Sequence, residues 1–153
     1  MRIEFTVYGD PMGKQRPKAR NTGKFVQIYT PKETVNYESK VVAAYKMKNE
    51  HMHFSQGDEI LAMITAYFKI PKAHYRFHKK TNTTDLDKEG LLMLEGKINP
   101  KKTPDCDNIA KICLDALNGI AYPDDSQITT LVVLKHYSEE PRVEIMLEKD
   151  ANE

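Results

Sequence analysis

Five aspartates and no glutamate lie between Asp105 and Asp125, and Lys111 is the one base in that interval. They fall as Asp105-Cys106-Asp107, then Asp115, then the pair Asp124-Asp125. Short carboxylates at this density exceed what solubility requires and call for a cation. Hard oxygen donors without histidine or thiolate partners suit Mg²⁺ or Mn²⁺ rather than Zn²⁺. A cation so held polarises a phosphoryl oxygen, activates a water or stabilises a leaving oxygen. Lys111, about one turn into a helix, supplies positive charge for a transition state. These residues therefore predict metal-assisted phosphoryl chemistry, with Asp105, Asp107, Asp124 and Asp125 as candidate ligands.

Other readings of the aspartates fit less well. A second Asp-x-Asp, Asp85-Leu86-Asp87, is followed by Lys88 and Glu89 and by no second acidic pair. It reads as a solvated helix start and serves as an internal control. An EF-hand loop is excluded because Ala110 stands where that loop needs glycine. An aspartyl-phosphate nucleophile would follow a buried strand, whereas residues 97–104 are polar.

The elements that must position these groups can be read from periodicity. Asp107 is predicted as the N-cap or first-turn residue of a helix over about 107–118. Its buried stripe is Ile109, Ile112, Cys113, Ala116 and Leu117, and Asp107, Lys111, Asp115 and Asn118 take another face. Asn118-Gly119 ends it, and the β-branched run 127–137 is a strand. The chain must turn back between them, a return able to bring Asp124 and Asp125 towards Asp105 and Asp107. Earlier, a strand is expected near 2–9, a helix over 32–49 with Val35, Val41, Val42 and Tyr45 buried, and a strand over 59–70. A polar, partly helical middle follows over 74–96, and a closing strand over 142–149. Helices between strands, ending in a strand pair, predict an α+β fold with a mixed β-sheet and packed helices.

Pro104-Asp-Cys-Asp-Asn-Ile-Ala-Lys111, Leu114-Asp-Ala-Leu-Asn-Gly119, Asp124-Asp-Ser-Gln-Ile128 and Lys135 together resemble the C-terminal signature of the RusA family of Holliday junction resolvases. Pro11-Met-Gly-Lys-Gln-Arg-Pro-Lys18, Tyr29-Thr-Pro31 and Tyr37-Glu38 resemble that family's opening block. The sequence departs from the family in a longer stretch over 72–103 and in Cys106. The resemblance implies a RusA-like fold and a Mg²⁺-dependent endodeoxyribonuclease, Mn²⁺ being a possible substitute, that acts on four-way DNA junctions. It implies Asp105, Asp107 and Asp125 as metal-binding catalytic carboxylates, Lys111 as assisting, Asp124 as a supporting or alternative ligand, and a homodimer as the active form. The other classes weighed are a catalytically silent junction-binding protein and a general flap or single-strand nuclease.

Charge distribution fits a DNA substrate. The formal net charge is +1, yet residues 11–32 hold six Lys or Arg and no acid, and residues 69–80 hold five and no acid. The total hides a polarised chain. Lys14, Arg16, Lys18 and Arg20 recur every second residue, so an extended backbone projects them to one side as candidate phosphate contacts. Asn21-Thr22-Gly23 signals a turn and residues 24–29 a return strand, which completes a ribbon. Phosphate contacts of this type set affinity and register without reading sequence. The second basic segment is read equally as DNA contact or mobile surface, and His51-Met52-His53 as surface histidines. From Glu139 onward six acids face two bases, an end expected to point away from DNA.

At 153 residues and 40% hydrophobic composition, the chain predicts one domain over 1–150 with a short acidic tail at 151–153. Residues 2–8 alternate as a strand rather than forming a signal peptide, and no apolar run approaches a membrane span. Cys106 and Cys113 are read as free thiols, so a cytoplasmic setting is expected.

Overall fold

The computed structural model describes residues 1–149, so the tail predicted at 151–153 lies outside them. Eight strands and three helices follow in the order β1 (Arg2–Tyr8), β2 (Lys18–Asn21), β3 (Val26–Tyr29), α1 (Lys32–Asn49), β4 (Ile60–Lys69), β5 (Tyr75–His78), β6 (Thr83–Leu86), α2 (Lys88–Leu94), α3 (Cys106–Leu117), β7 (Ile128–Ser138) and β8 (Arg142–Lys149). The main sheet runs β1-β8-β4-β7, antiparallel except for the parallel pair β4-β7. The α+β fold with a mixed sheet is as expected.

Alternation explains why this sheet buries one face. In β4, Ile60, Ala62, Ile64, Ala66 and Phe68 are buried and the residues between them half-buried. Ile3, Phe5 and Val7 of β1 and Val143, Ile145 and Leu147 of β8 repeat the pattern. Against this face pack α1 and α3, whose apolar stripes meet. The stripe predicted for α3 is buried in full, with Ala110 added. Side chains of fixed period on rigid elements leave one polar face of α3 to solvent.

In α1 the boundaries match the expectation but the phase does not. Thr34, Tyr37, Val41, Tyr45 and Asn49 are buried and Val42 is partly buried, whereas Val35 is exposed. One residue turns a helix by about 100°, so a face centred on Tyr37 and Val41 carries Val35 away from the sheet. The middle over 74–96 also differs, since its first half is the hairpin β5-β6. Asp87 then caps α2, its Oδ1 accepting a 2.7 Å bond from the Gly90 N–H. The control motif is indeed a helix start.

The return from α3 to β7 is pinned from inside. Tyr122 is buried, and its hydroxyl donates to the Leu114 carbonyl at 2.8 Å. The Ala121 N–H bonds the Leu117 carbonyl, and the Phe54 N–H bonds the Ala121 carbonyl. Tyr122→Phe removes the side-chain bond from this loop to Leu114 of α3 and leaves the backbone bonds in place. Urea unfolding should show a loss of about 1 kcal/mol with an unchanged m-value; an unchanged midpoint would show that the bond does not hold the loop.

Candidate active site

Asp105 is the N-cap of α3, with extended backbone angles, and its carboxylate makes no capping bond. An N-cap aspartate normally accepts a bond from the N–H two or three residues on, as Asp87 does in α2. Among the described residues Asp105 thus caps the helix by backbone position alone, its carboxylate making no cap bond. Asp107 lies in the first turn of α3, and Lys111 and Asp115 follow at i+4 and i+8. The three share one face and span roughly 12 Å of helix axis. Asp105, Asp107 and Lys111 are exposed, and Asp115 is half-buried.

The acidic pair divides its work. Asp124 caps the short 3-10 turn Asp125–Gln127, accepting from the Ser126 N–H at 3.2 Å while the Gln127 side chain accepts from the Asp124 N–H. The Ser126 bond, then Asp125, hold the Asp124 carboxyl below its usual range. Partial desolvation, then a side-chain hydrogen bond with Asp124 and the charges of Asp124 and Asp115, push Asp125 above its usual range. A carboxylate crowded by two others favours a cation beside it.

The carboxylates that act on Asp125 are Asp124 and Asp115, not Asp105 or Asp107 towards which the return was expected to bring it. The loop pinned by Tyr122 holds Asp125 within electrostatic reach of Asp115 in α3. Among the described residues no three His, Cys, Asp or Glu side chains gather at metal-binding spacing. Two of the neighbouring carboxylates are engaged elsewhere, Asp124 in its cap and Asp115 with Lys14. The donors still fit a hard divalent cation by chemistry, since Asp105 has uncommitted oxygens and Asp125 stands in a negative field.

Lys14 is not where its spacing placed it. Its ammonium pairs with the Glu38 carboxylate of α1 and, at 3.3 Å, with Asp115 Oδ2. Burial opposes its charge, but the two carboxylates outweigh that and raise its pKa. The Lys14 N–H bonds the Asn108 carbonyl at 3.0 Å. Gly13 lies so close to α3 that a Cβ there would stand 2.8 Å from Pro104 Cβ and 3.1 Å from Asn108 Cβ. Residues 13–14 thus form a strap over α3, and the ribbon starts only at Lys18, because Pro17 offers no N–H for a ladder. Lys18 and Arg20 lie in β2, while Arg16 precedes it and is exposed. Glu38 was marked only by its place in the opening block, and its pairing with Lys14 was missed because a contact across 24 positions leaves no local trace. Asp115 had a visible signal, its place four residues after Lys111.

The second basic segment is a held hairpin rather than a loose surface. His78 Nε2 lies 2.8 Å from Asp85, and Asp87 lies near both His74, at 3.2 Å, and Arg76, at 3.5 Å. Lys135, part of the signature, donates to the Lys102 carbonyl at 2.5 Å and so supports the chain leading into Asp105.

The family described as Endodeoxyribonuclease RusA matches residues 8–148, nearly the whole described chain. The chain belongs to the RusA family. As a RusA-family member it is an endodeoxyribonuclease, an enzyme that hydrolyses phosphodiester bonds within DNA. It is also similar to a Bacillus subtilis (strain 168) protein described as "Uncharacterized protein YqaN", 33% identical over 145 residues, which cover 95% of this chain and 94% of that one.

The strap and the ribbon should separate in a salt titration of DNA binding. Lys14→Met should leave the slope of log K against log salt unchanged. Arg20→Ala should reduce it by roughly 0.9, the loss of one neutralised phosphate. A slope that falls equally in Lys14→Met would return Lys14 to the phosphate contacts.

Proposed function

We propose that this RusA-family endonuclease resolves Holliday junctions by paired phosphodiester hydrolysis, using Mg²⁺ or Mn²⁺ bound near the start of α3. The observation that carries the metal site is the N-cap aspartate Asp105, whose side chain makes no cap bond, two residues before Asp107. Asp105, Asp107 and Asp125 would hold the cation, with Asp124 supporting through its fixed turn. When bound, the cation supplies charge stabilisation at the scissile phosphate. Lys111, on the same helix face as Asp107, places a positive charge for the developing negative one. Lys18, Arg20 and the neighbouring Arg16 neutralise phosphates and orient the strand. Lys14 acts as a positioning residue that fixes the root of this basic segment on α3.

Comparing cleavage of a four-way junction with linear duplex and flap DNA tests the reading. Preference for the junction supports it; faster cleavage of flaps would identify a flap nuclease, and binding without cleavage a silent junction binder. Asp107→Asn should abolish cleavage while junction binding survives, because it removes a ligand charge that also repels DNA. Asp85→Asn, in the hairpin, should leave cleavage nearly unchanged. Wild-type nicking by Asp107→Asn would remove that residue from the site.

A four-way junction is close to two-fold symmetric and needs two opposed nicks, whereas the chain carries one set of these aspartates. A two-fold homodimer supplies the second set. Heterodimers of wild-type and Asp105→Asn subunits should nick one strand and spare the other. Paired nicks from isolated heterodimers, or full activity from a sedimenting monomer, would defeat the dimer.

A further inference from the structure

The ribbon β2-β3 has two unlike faces and neither packs on the core. All eight of its residues are exposed. Residues directly opposite in an antiparallel pair share a face, so Lys18 with Tyr29 and Arg20 with Gln27 occupy one side, and Ala19 with Ile28 and Asn21 with Val26 the other. Arg20 donates to the Gln27 side chain at 3.1 Å across the basic side. Ile28 is 72% exposed, Val26 64% and Phe25, at the tip, 62%. A lone two-stranded ribbon is marginal in water, and clustered apolar exposure marks a surface with a partner.

The tip is built rather than loose. Asn21 Oδ1 accepts from the Gly23 N–H at 2.9 Å, the Thr22 N–H bonds the Phe25 carbonyl at 3.1 Å, and Gly23 takes φ +83°. This turn displays Phe25 beside Val26. The root is equally fixed, by Lys14 and Gly13 on α3.

Charge decides the occupant. Residues 11–32 carry six bases and no acid, and among the described residues no carboxylate pairs with Arg16, Lys18, Arg20 or Lys24. The same ribbon from a second copy would bring like charges together, while a polyanion complements them. In continuous duplex the apolar faces of bases are hidden in the stack. They become available where stacking is interrupted, as at a branch point. We propose that β2-β3 is a branch-point reader: Lys18 and Arg20 hold phosphates, and Phe25, Val26 and Ile28 pack on base faces unstacked at the crossover. This rests on the junction reading and adds to it the element that tells junction from duplex. Side chains inserted at base steps elsewhere act in the same way, exchanging stacking for protein contact.

The experiment uses full-length protein carrying Asp107→Asn to prevent cleavage. Four-way junctions hold 2-aminopurine either at the branch point or well inside one arm, and unbranched duplex of equal length serves as competitor. Binding should raise the branch-point fluorescence and leave the arm signal unchanged. Adding Phe25→Ser with Ile28→Ser should abolish that rise and lower the junction-over-duplex preference by roughly tenfold, at an unchanged salt slope. Because these side chains lie outside the core, melting temperature should hold; Ile28→Thr, which keeps a β-branched residue in the strand, should show the same direction with less effect. Retention of the full preference and fluorescence rise in the serine variant would overturn the proposal. So would conversion of a dimer to a monomer by these substitutions, which would assign the apolar face to a second copy. If the parent protein shows no preference for junction over duplex, the junction reading itself fails; loss confined to the ribbon variants leaves that reading standing and supports this one.

Discussion

Lys14 stands where three segments of the chain meet. Its ammonium joins Glu38 of α1 to Asp115 of α3, and its backbone N–H reaches Asn108 in the first turn of α3. The opening segment, the long helix and the site helix are thereby held in one relation. The net worth of a half-buried ion pair is modest, but removing one partner is costly because the other charges are left without compensation. Here the uncompensated charges would be Glu38 and Asp115, the second of which already acts on a crowded Asp125. The constraint is thus electrostatic as well as geometric: one lysine makes it tolerable to keep Asp115 near Asp125, and the same lysine ends the strap from which the basic ribbon departs.

Aspartates of similar sequence setting differ by what their oxygens already do. Asp87 and Asp124 are occupied by backbone N–H groups, and Asp115 by an ammonium. Asp105 occupies a capping position without capping, and Asp125 follows a cap without sharing it. Capping stabilises a helix by about 1 kcal/mol, so an N-cap aspartate that forgoes it marks a local departure from the most stable choice. Such departures concentrate where a side chain has other work. A count of Asp-x-Asp motifs treats positions 85–87 and 105–107 alike; their hydrogen bonds separate them.

Much of the fold was legible because period and burial agree. The limits of α1 and β8, the stripe of α3 and the turn at Asn21-Thr22-Gly23 follow from local pattern, and each has a local cause in the structure. Val35 was misassigned because α1 has a weak apolar contrast, and its phase is set by Tyr37 and Val41 meeting the sheet. The hairpin β5-β6 was hidden because its strands are short, charged and exposed, carrying no alternation of burial. At the site, the identities of Asp105, Asp107, Lys111 and Asp125 came from spacing and resemblance. Their spatial relation did not, because it depends on where a buried tyrosine ties the return loop and on a lysine about a hundred residues upstream.

The near-zero total charge has a structural meaning once the pieces are placed. Catalytic carboxylates beside a phosphate chain repel it, so an acidic centre that acts on DNA needs attraction supplied from a separate surface. The chain separates the two by concentrating bases on an exposed ribbon and acids on α3 and its return loop. Separation alone would leave the two surfaces free to drift, and a mobile basic arm would bind any DNA without presenting a defined phosphate to the aspartates. Gly13 lets the backbone lie against Pro104 and Asn108, closer than a Cβ would permit, and Lys14 locks it there. On the proposed reading, attraction and chemistry are thus kept apart in charge but joined in space, and a joint of that kind would turn general affinity for phosphate into the placement of one bond.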